Sequence, residues 1–268
     1  MIEFRNLTKF YPAKNGRRYI LRDVSLVIPG HKNIAVLGPN GAGKSTMLRL
    51  IGGAESANSG QIITDANISW PLGLTSGFQG SLTGRKNVQF VCNVNGLSRF
   101  QTRQVIQHVI DFAEIGDYFD MPVSTYSSGM RARLNFGLST AFDFDVYLID
   151  ELTSVGDSLF RDKARAAFEK IRRRASLVFV SHNVETLRES CDSALFLREG
   201  KADYFEDIEQ GIDAYQEYIL ERSLASGKAG QPRIGPRARA AKKAARKIAK
   251  KRALVPETNP EPPTETAN

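Results

Sequence analysis

The sequence predicts an α/β domain with a mainly parallel sheet, an N-terminal antiparallel β-subdomain and an inserted helical subdomain. Three observations carry this. Residues 1–28 alternate apolar and polar positions, and the apolar run Asn33-Ile34-Ala35-Val36-Leu37 stops at a glycine. Strand-like runs then return at Val146-Tyr147-Leu148-Ile149, Leu177-Val178-Phe179-Val180 and Ala194-Leu195-Phe196-Leu197, alternating with stretches of helical spacing.

Ile2 and Phe4, then Leu21, Val24, Leu26 and Ile28, read as antiparallel strands joined by the polar loop Lys14-Asn15-Gly16-Arg17-Arg18. Residues 34–37 fit a buried parallel strand, which is covered on both faces and so needs no polar alternation. A helical run, 47–51, follows. From Phe90 to Phe142 the spacing is mostly helical, with Val105, Ile106, Val109, Ile110 and Ala113 on one face, so an insertion is expected over about 85–142. Within it, Ser127, Ser128 and Gly129 precede Met130, Leu134, Gly137, Leu138 and Ala141 at helical spacing. Small hydroxyl residues and glycine favour a first helical turn, where N–H groups point outward unpaired and the dipole attracts anions. After Arg222 the composition turns to Gly, Ala, Lys and Arg and finally to Pro, Glu and Thr. The expected organisation is therefore a body over 1–222 and a basic, disordered tail over 223–268. There is no internal repeat.

With 268 residues, 41% hydrophobic and 25% charged, the chain is an ordinary globular protein long enough for a well-buried core. Its start lacks the pattern of a secretory signal, and no apolar run approaches the roughly 20 residues of a membrane helix. A cytosolic protein is expected, with any membrane work falling to a partner chain. Two cysteines, Cys92 and Cys191, are too few for a disulfide framework. The net charge of +8 sits in the tail, where 226–268 hold eleven Lys or Arg against three Glu.

Gly38-Pro39-Asn40-Gly41-Ala42-Gly43-Lys44-Ser45-Thr46 fits G-x-x-x-x-G-K-[ST] between a buried strand and a helix, the core of a P-loop NTPase. Glycines let consecutive N–H groups turn inward around phosphate oxygens, and the helix adds its positive end. Lys44 would reach the β- and γ-phosphates and Ser45 would bind Mg²⁺. The run Val146-Tyr147-Leu148-Ile149-Asp150-Glu151 ends a strand in two carboxylates. Asp150 suits the metal, and Glu151 would position an attacking water, because phosphoryl transfer depends on alignment and charge stabilisation.

Together these residues make 1–220 resemble the nucleotide-binding subunit of an ATP-binding cassette (ABC) transporter. Thr125-Tyr126-Ser127-Ser128-Gly129-Met130 resembles that family's signature motif, with Ser128 in place of a glycine and Met130 in place of the glutamine. It is similar to the form in the branch exporting capsular polysaccharide and O-antigen chains. So are Trp70-Pro71-Leu72-Gly73 running into Gly77-Phe78-Gln79 and Leu82-Thr83-Gly84, and Val155-Gly156-Asp157 followed by Phe160 and Lys163.

The resemblance implies ATP and Mg²⁺ as cofactors and a homodimer that closes head to tail. Each ATP would lie between 38–46 of one copy and Ser127, Ser128 and Gly129 of the other. It further implies that Gln79 touches Mg²⁺ or water, that Asp157 lies at the dimer seam, that His182 contacts the γ-phosphate, and that Tyr11 stacks on adenine, with Tyr19 as its rival. His31 and His108 show no partners and read as surface residues. The implied partners are an integral membrane permease, docking along 75–95, and through it a lipid-linked polysaccharide, at the cytoplasmic face of the bacterial inner membrane. O-antigen exporters often append a folded carbohydrate-binding domain, whereas the residues after Arg222 are not core-forming, which favours the capsule type.

The basic tail suits an anionic lipid surface, which lies nearer than nucleic acid if the body works at a membrane, and a solvated tail without a specific partner is the other reading. Competing readings are an O-antigen or teichoic-acid-type exporter ATPase, a soluble cassette ATPase acting with nucleic acid, and a degenerate cassette that holds ATP without turnover.

Overall fold

The computed structural model describes residues 1–14, 16–72, 78–150, 158–181 and 183–225. It divides into two units, Met1–Ile212 and Asp213–Asn268. Among the described residues the first unit holds two sheets. Strands β1 (Ile2–Ala13), β2 (Gly16–Ile28) and β4 (Ser59–Thr64) form an antiparallel sheet in the order β2-β1-β4. Strands β3 (Ile34–Leu37), β5 (Val146–Asp150), β6 (Ser176–Val180), β7 (Ser193–Arg198) and β8 (Lys201–Phe205) form a five-stranded sheet in the order β5-β6-β3-β7-β8. Its first four strands are parallel and only β8 is antiparallel. The α/β fold with a separate antiparallel N-terminal sheet is thus the one the sequence predicts.

One detail differs from the sequence reading. The loop expected over 14–18 is a tight hairpin, because β2 already begins at Gly16, whose φ of +116° suits glycine. Arg17 and Arg18 therefore lie in the strand, paired with Pro12 and Tyr11. The insertion's first helix, α2 (Gly84–Val94), starts within one residue of the bound expected at about 85, six residues before the helical spacing itself begins at Phe90. Thr83 caps it, its side chain accepting from the Lys86 N–H at 3.2 Å, a polar start that apolar periodicity does not register.

Helices α3 (Arg99–Ala113) and α4 (Ser128–Thr140) complete the insertion. Ser98 and Gln101 form a capping box at the start of α3. Val88, Cys92, Val105, Ile106, Val109, Ala113, Leu134 and Leu138 close a core separate from the one that joins the two sheets. His108 is less solitary than its sequence context implies, stacking on Phe112 and lying 3.0 Å from the Thr140 hydroxyl.

Helix α1 (Lys44–Ile51) follows β3, and α5 (Ser158–Arg172) and α6 (Val184–Ser190) connect the later strands. Helix α7 (Ile208–Ala225) runs three residues past the boundary at 222 that composition suggests. The described part of the second unit is the end of this helix, where the Arg222 guanidinium lies 5.7 Å from the Tyr218 ring. The basic residues of 226–268 lie outside the described residues.

Candidate functional site

Parallel strands deliver the site to one edge. In the β5–β6 register Asp150 stands opposite Val180, and β3, paired on the other side of β6, ends at Leu37 immediately before Gly38. Carboxyl ends of three neighbouring strands thus meet where an open α/β sheet binds ligands. A segment ahead of Gln79 joins this edge: Ile68 and Leu72 bridge to Val146 and Ile149, and the Asp150 N–H donates to the Leu72 carbonyl at 2.8 Å.

A cavity of about 480 Å³ opens there, lined by Tyr11, Arg18, Ile20, Asn40, Gly41, Gly43, Lys44, Ser45, Thr46, Asp150 and Val180. The loop's conformation requires its glycines. Gly43 has φ +102°, and a Cβ there would collide with Ile20. Gly41 has φ +79°, and a Cβ would lie 2.8 Å from the Arg18 guanidinium. The Lys44 ammonium donates to the Gly38 and Pro39 carbonyls at 2.8 and 3.2 Å, which holds its charge against the loop. Gly43 occupies the N-cap position of α1 without a side-chain cap, so the helix start faces the cavity with its N–H groups. Cationic Lys44 and Arg18, those N–H groups and the Asp150 carboxylate make a receptor for a polyphosphate with a bound cation.

Tyr11, Asn40, Gly41, Gly43, Lys44, Ser45, Thr46 and Asp150 come together here. Gly38, Pro39 and Ala42 shape the loop behind the lining, the Ala42 N–H donating to the Pro39 carbonyl at 3.1 Å. Gln79 does not line the cavity. Its backbone is fixed by Asn87, whose side-chain oxygen accepts from the Gln79 N–H at 2.8 Å and whose amide nitrogen donates to the carbonyls of Gln79, Leu82 and Thr83. Tyr19 pairs with Phe10 in a tilted ring contact and is not part of the lining either. Glu151, Asp157 and His182 lie outside the described residues.

The signature-like segment builds a second cavity of about 460 Å³, lined by Glu114, Ile115, Tyr118, Ser127, Gly129, Met130 and Arg133. Ser127 is the N-cap of α4, its oxygen accepting from the Met130 N–H at 3.1 Å. A hydroxyl that accepts in this way retains a proton to donate outward. Ser128 is the first residue of the helix, and a Cβ on Gly129 would meet only the Ser127 hydroxyl, at 3.8 Å. Phe160 packs with Phe112 and Phe136, and Lys163 donates to the Asp111 carbonyl at 2.8 Å and pairs with Glu114 at 2.5 Å. These two residues of α5 therefore fasten it to the end of α3.

Several site residues were missed by the sequence reading. Composition alone puts Arg18 in a loop, whereas strand register opposite Tyr11 puts it beside the site. Asn87, 2% exposed, is a polar residue at an otherwise apolar helical position, which is the signal for a buried structural amide. Glu55 and Arg49, bonded to one another behind Tyr11, carried no motif.

Comparison with known proteins agrees with this geometry. A family model described as ABC transporter matches residues 21–154. The chain is 48% identical over 219 residues to the polysialic acid transport ATP-binding protein KpsT of Escherichia coli, covering 81% of this chain and 97% of that protein. It is 40% identical over 215 residues to the capsule polysaccharide export ATP-binding protein CtrD of Neisseria meningitidis serogroup B, covering 80% and 98%. Among solved structures it resembles the ATP-binding cassette MJ0796, in a dimeric post-hydrolysis state bound to ADP and Pi. The TM-score is 0.64 at 22% identity, covering 78% of this chain and 99% of that one. Relatives matched along nearly their whole length, together with the family model, leave one assignment: the chain belongs to the ABC transporter family, as an ATP-binding and ATP-hydrolysing cassette.

Proposed function

We propose that this chain powers an integral membrane permease exporting a lipid-linked capsular polysaccharide, working as an ATP-sandwiched homodimer at the cytoplasmic face of the bacterial inner membrane. The observation that carries the assembly is the separation of two half-sites. The phosphate-loop cavity and the Ser127–Gly129 cavity share no lining residue, which supports a reading in which the serine serves a second copy's site. Gly129 adds to this. A helical glycine costs about 1 kcal/mol relative to alanine, and its own chain leaves room for a side chain there. An outside body that must approach the helix start, such as a triphosphate held by a second copy, gives the glycine a use.

Bound Mg²⁺ supplies charge neutralisation on the phosphate oxygens. Ser45 and Asp150, in one cavity, are the residues to hold it, with Gln79 close in sequence to the strand edge they share. Lys44 and the N–H groups of 41 and 43–46 bind the triphosphate. Glu151 is assigned to orient the attacking water, His182 to the γ-phosphate and Asp157 to the seam between copies.

The cargo reading rests on the relatives named for polysialic acid transport and capsule polysaccharide export. The permease reading rests on the same relatives, named as transport and export ATP-binding proteins, and no helix among the described residues is long and apolar enough to cross a membrane. Its docking face is assigned to α2 and the start of α3, where Phe90, Val94 and Phe100 are 59%, 69% and 68% exposed. The basic residues of 226–268 are assigned to anionic headgroups of the same membrane. Lys44→Ala in the source cell tests the whole reading: surface polysaccharide should be lost, and a normal surface polymer would refute export as the function.

A further inference from the structure

Tyr11 is held by a polar cluster that reaches from the N-terminal sheet to the phosphate-loop helix. Its hydroxyl donates to Glu55 Oε1 at 2.6 Å and lies 3.3 Å from Thr46 Oγ1. Glu55, in the turn after α1, also receives Lys9 at 2.8 Å and Arg49 at 3.0 Å. Lys9 is fixed in turn on the Ser56 carbonyl at 2.7 Å, and the Glu55 N–H is fixed on the Arg49 carbonyl at 3.1 Å. Arg49 closes the ring by donating to Thr46 Oγ1 at 3.1 Å.

Proton counting orients the ring of bonds. A carboxylate without a proton can only accept, so the tyrosine proton belongs to Glu55. The contact between Tyr11 and Thr46 must then use the threonine's proton, leaving Thr46 Oγ1 to accept from Arg49. Every link has one direction, and together they fix where the hydroxyl end of a cavity-lining side chain sits, while the preference of a phenol's O–H and lone pair for the ring plane orients the ring face. An aromatic ring gains from stacking only when its face is already presented to the partner, because ordering a free side chain offsets part of the gain.

We infer that Glu55 is a positioning residue for nucleotide recognition: with Lys9 and Arg49 it locks the Tyr11 ring as the adenine platform and ties that platform through Thr46 to the first turn of the phosphate helix. The inference rests on the reading of Tyr11 as the base-stacking residue.

The test compares Mg-ATP with Mg-tripolyphosphate, which has the phosphates but no base, by calorimetric titration of the full chain. The variants are Tyr11→Ala, Tyr11→Phe and Glu55→Gln, with thermal unfolding as the control for folding. Tyr11→Phe keeps the ring and removes its anchor. Glu55→Gln keeps the shape and removes the charge. Both should weaken ATP about fivefold, the loss of one hydrogen bond's worth of order, and change tripolyphosphate less than about twofold. Equal losses for both ligands would show a damaged phosphate loop and overturn the positioning role. If Tyr11→Ala impairs ATP selectively while Tyr11→Phe and Glu55→Gln match wild type, the inference fails and the platform survives. If Tyr11→Ala leaves ATP binding unchanged, the platform fails and the inference with it.

Discussion

The Tyr126 hydroxyl, donating to the Tyr118 carbonyl at 2.6 Å, occupies the space where a side chain on Gly84 would begin. Gly84 opens α2 and Tyr126 immediately precedes the cap of α4, so this contact sets two helix starts against each other. Gly84→Ala should therefore overpack the helical insertion and destabilise it by about 1–3 kcal/mol. Tyr126→Phe removes the obstructing oxygen at the expense of one hydrogen bond, about 1 kcal/mol. The double variant should lose less than the sum of the single losses, because the collision is shared. Denaturant titration of the three proteins checks this, and simple additivity would refute it.

Gly43 and Ile20 make a second such pair, at the phosphate loop. Gly43→Ala adds left-handed backbone strain of about 1–2 kcal/mol to a collision with the Ile20 side chain, and the loop must open to relieve both. Nucleotide binding should fall below detection while the helical insertion stays folded. Ile20→Ala in the Gly43→Ala background removes the collision but leaves the strain, and should restore part of the binding. Fluorescent-nucleotide titration reads the result.

The sequence legible at the site was the part written in contiguous residues. The loop from Gly38 to Thr46 must be local, since successive N–H groups have to converge on one anion, so its pattern survives as a string and also marks the strand and helix on either side. Buried strands 34–37 and 146–149 were readable for a similar reason, because continuous apolar runs need no knowledge of partners. What went unread depends on register or on distant closure. Arg18 reaches the cavity only because the register of β1 and β2 pairs it with Tyr11, and Glu55 matters only because β1 and α1 converge on it. Trp70 and Ser139 show the same point: an indole N–H bonds a hydroxyl at 2.7 Å between segments 69 residues apart. No spacing rule encodes such a bond.

The charge cluster behind Tyr11 predicts a pH dependence. Burial alone would raise the Glu55 pKa, but hydrogen bonds from Lys9, Tyr11 and Arg49 outweigh it and lower the value from 4.5 to about 2. A carboxylate depressed in the folded state contributes stability that is complete above its unfolded value and is lost as pH falls through the folded one. Wild type should thus lose its advantage over Glu55→Gln between about pH 4.5 and 2, and hold it unchanged from pH 5 to 8. Urea unfolding across that range measures the difference. An advantage that stayed constant down to pH 2 would mean that Glu55 titrates alike in the folded and unfolded chain, so that the cluster does not hold its charge.

Stability and function should part company at the start of α4. Ser127 spends its oxygen on the Met130 N–H at 3.1 Å, so Ser127→Ala should cost the fold about 1 kcal/mol through the lost cap. Ser127→Asp restores a cap and places a negative charge favourably against the helix dipole, so the folded monomer should unfold no earlier than wild type. Gly129→Ala should raise stability by about 0.5–1 kcal/mol, given open space around that position. Each of the last two changes puts something in the path of an incoming triphosphate, in one case charge and in the other bulk. Both should abolish ATP-dependent dimerisation in a Glu151→Gln background, followed by light scattering, while leaving ATP binding to the phosphate-loop cavity within about twofold. A stable Ser127→Asp protein that still dimerised on ATP would place the triphosphate's second set of contacts elsewhere than this helix.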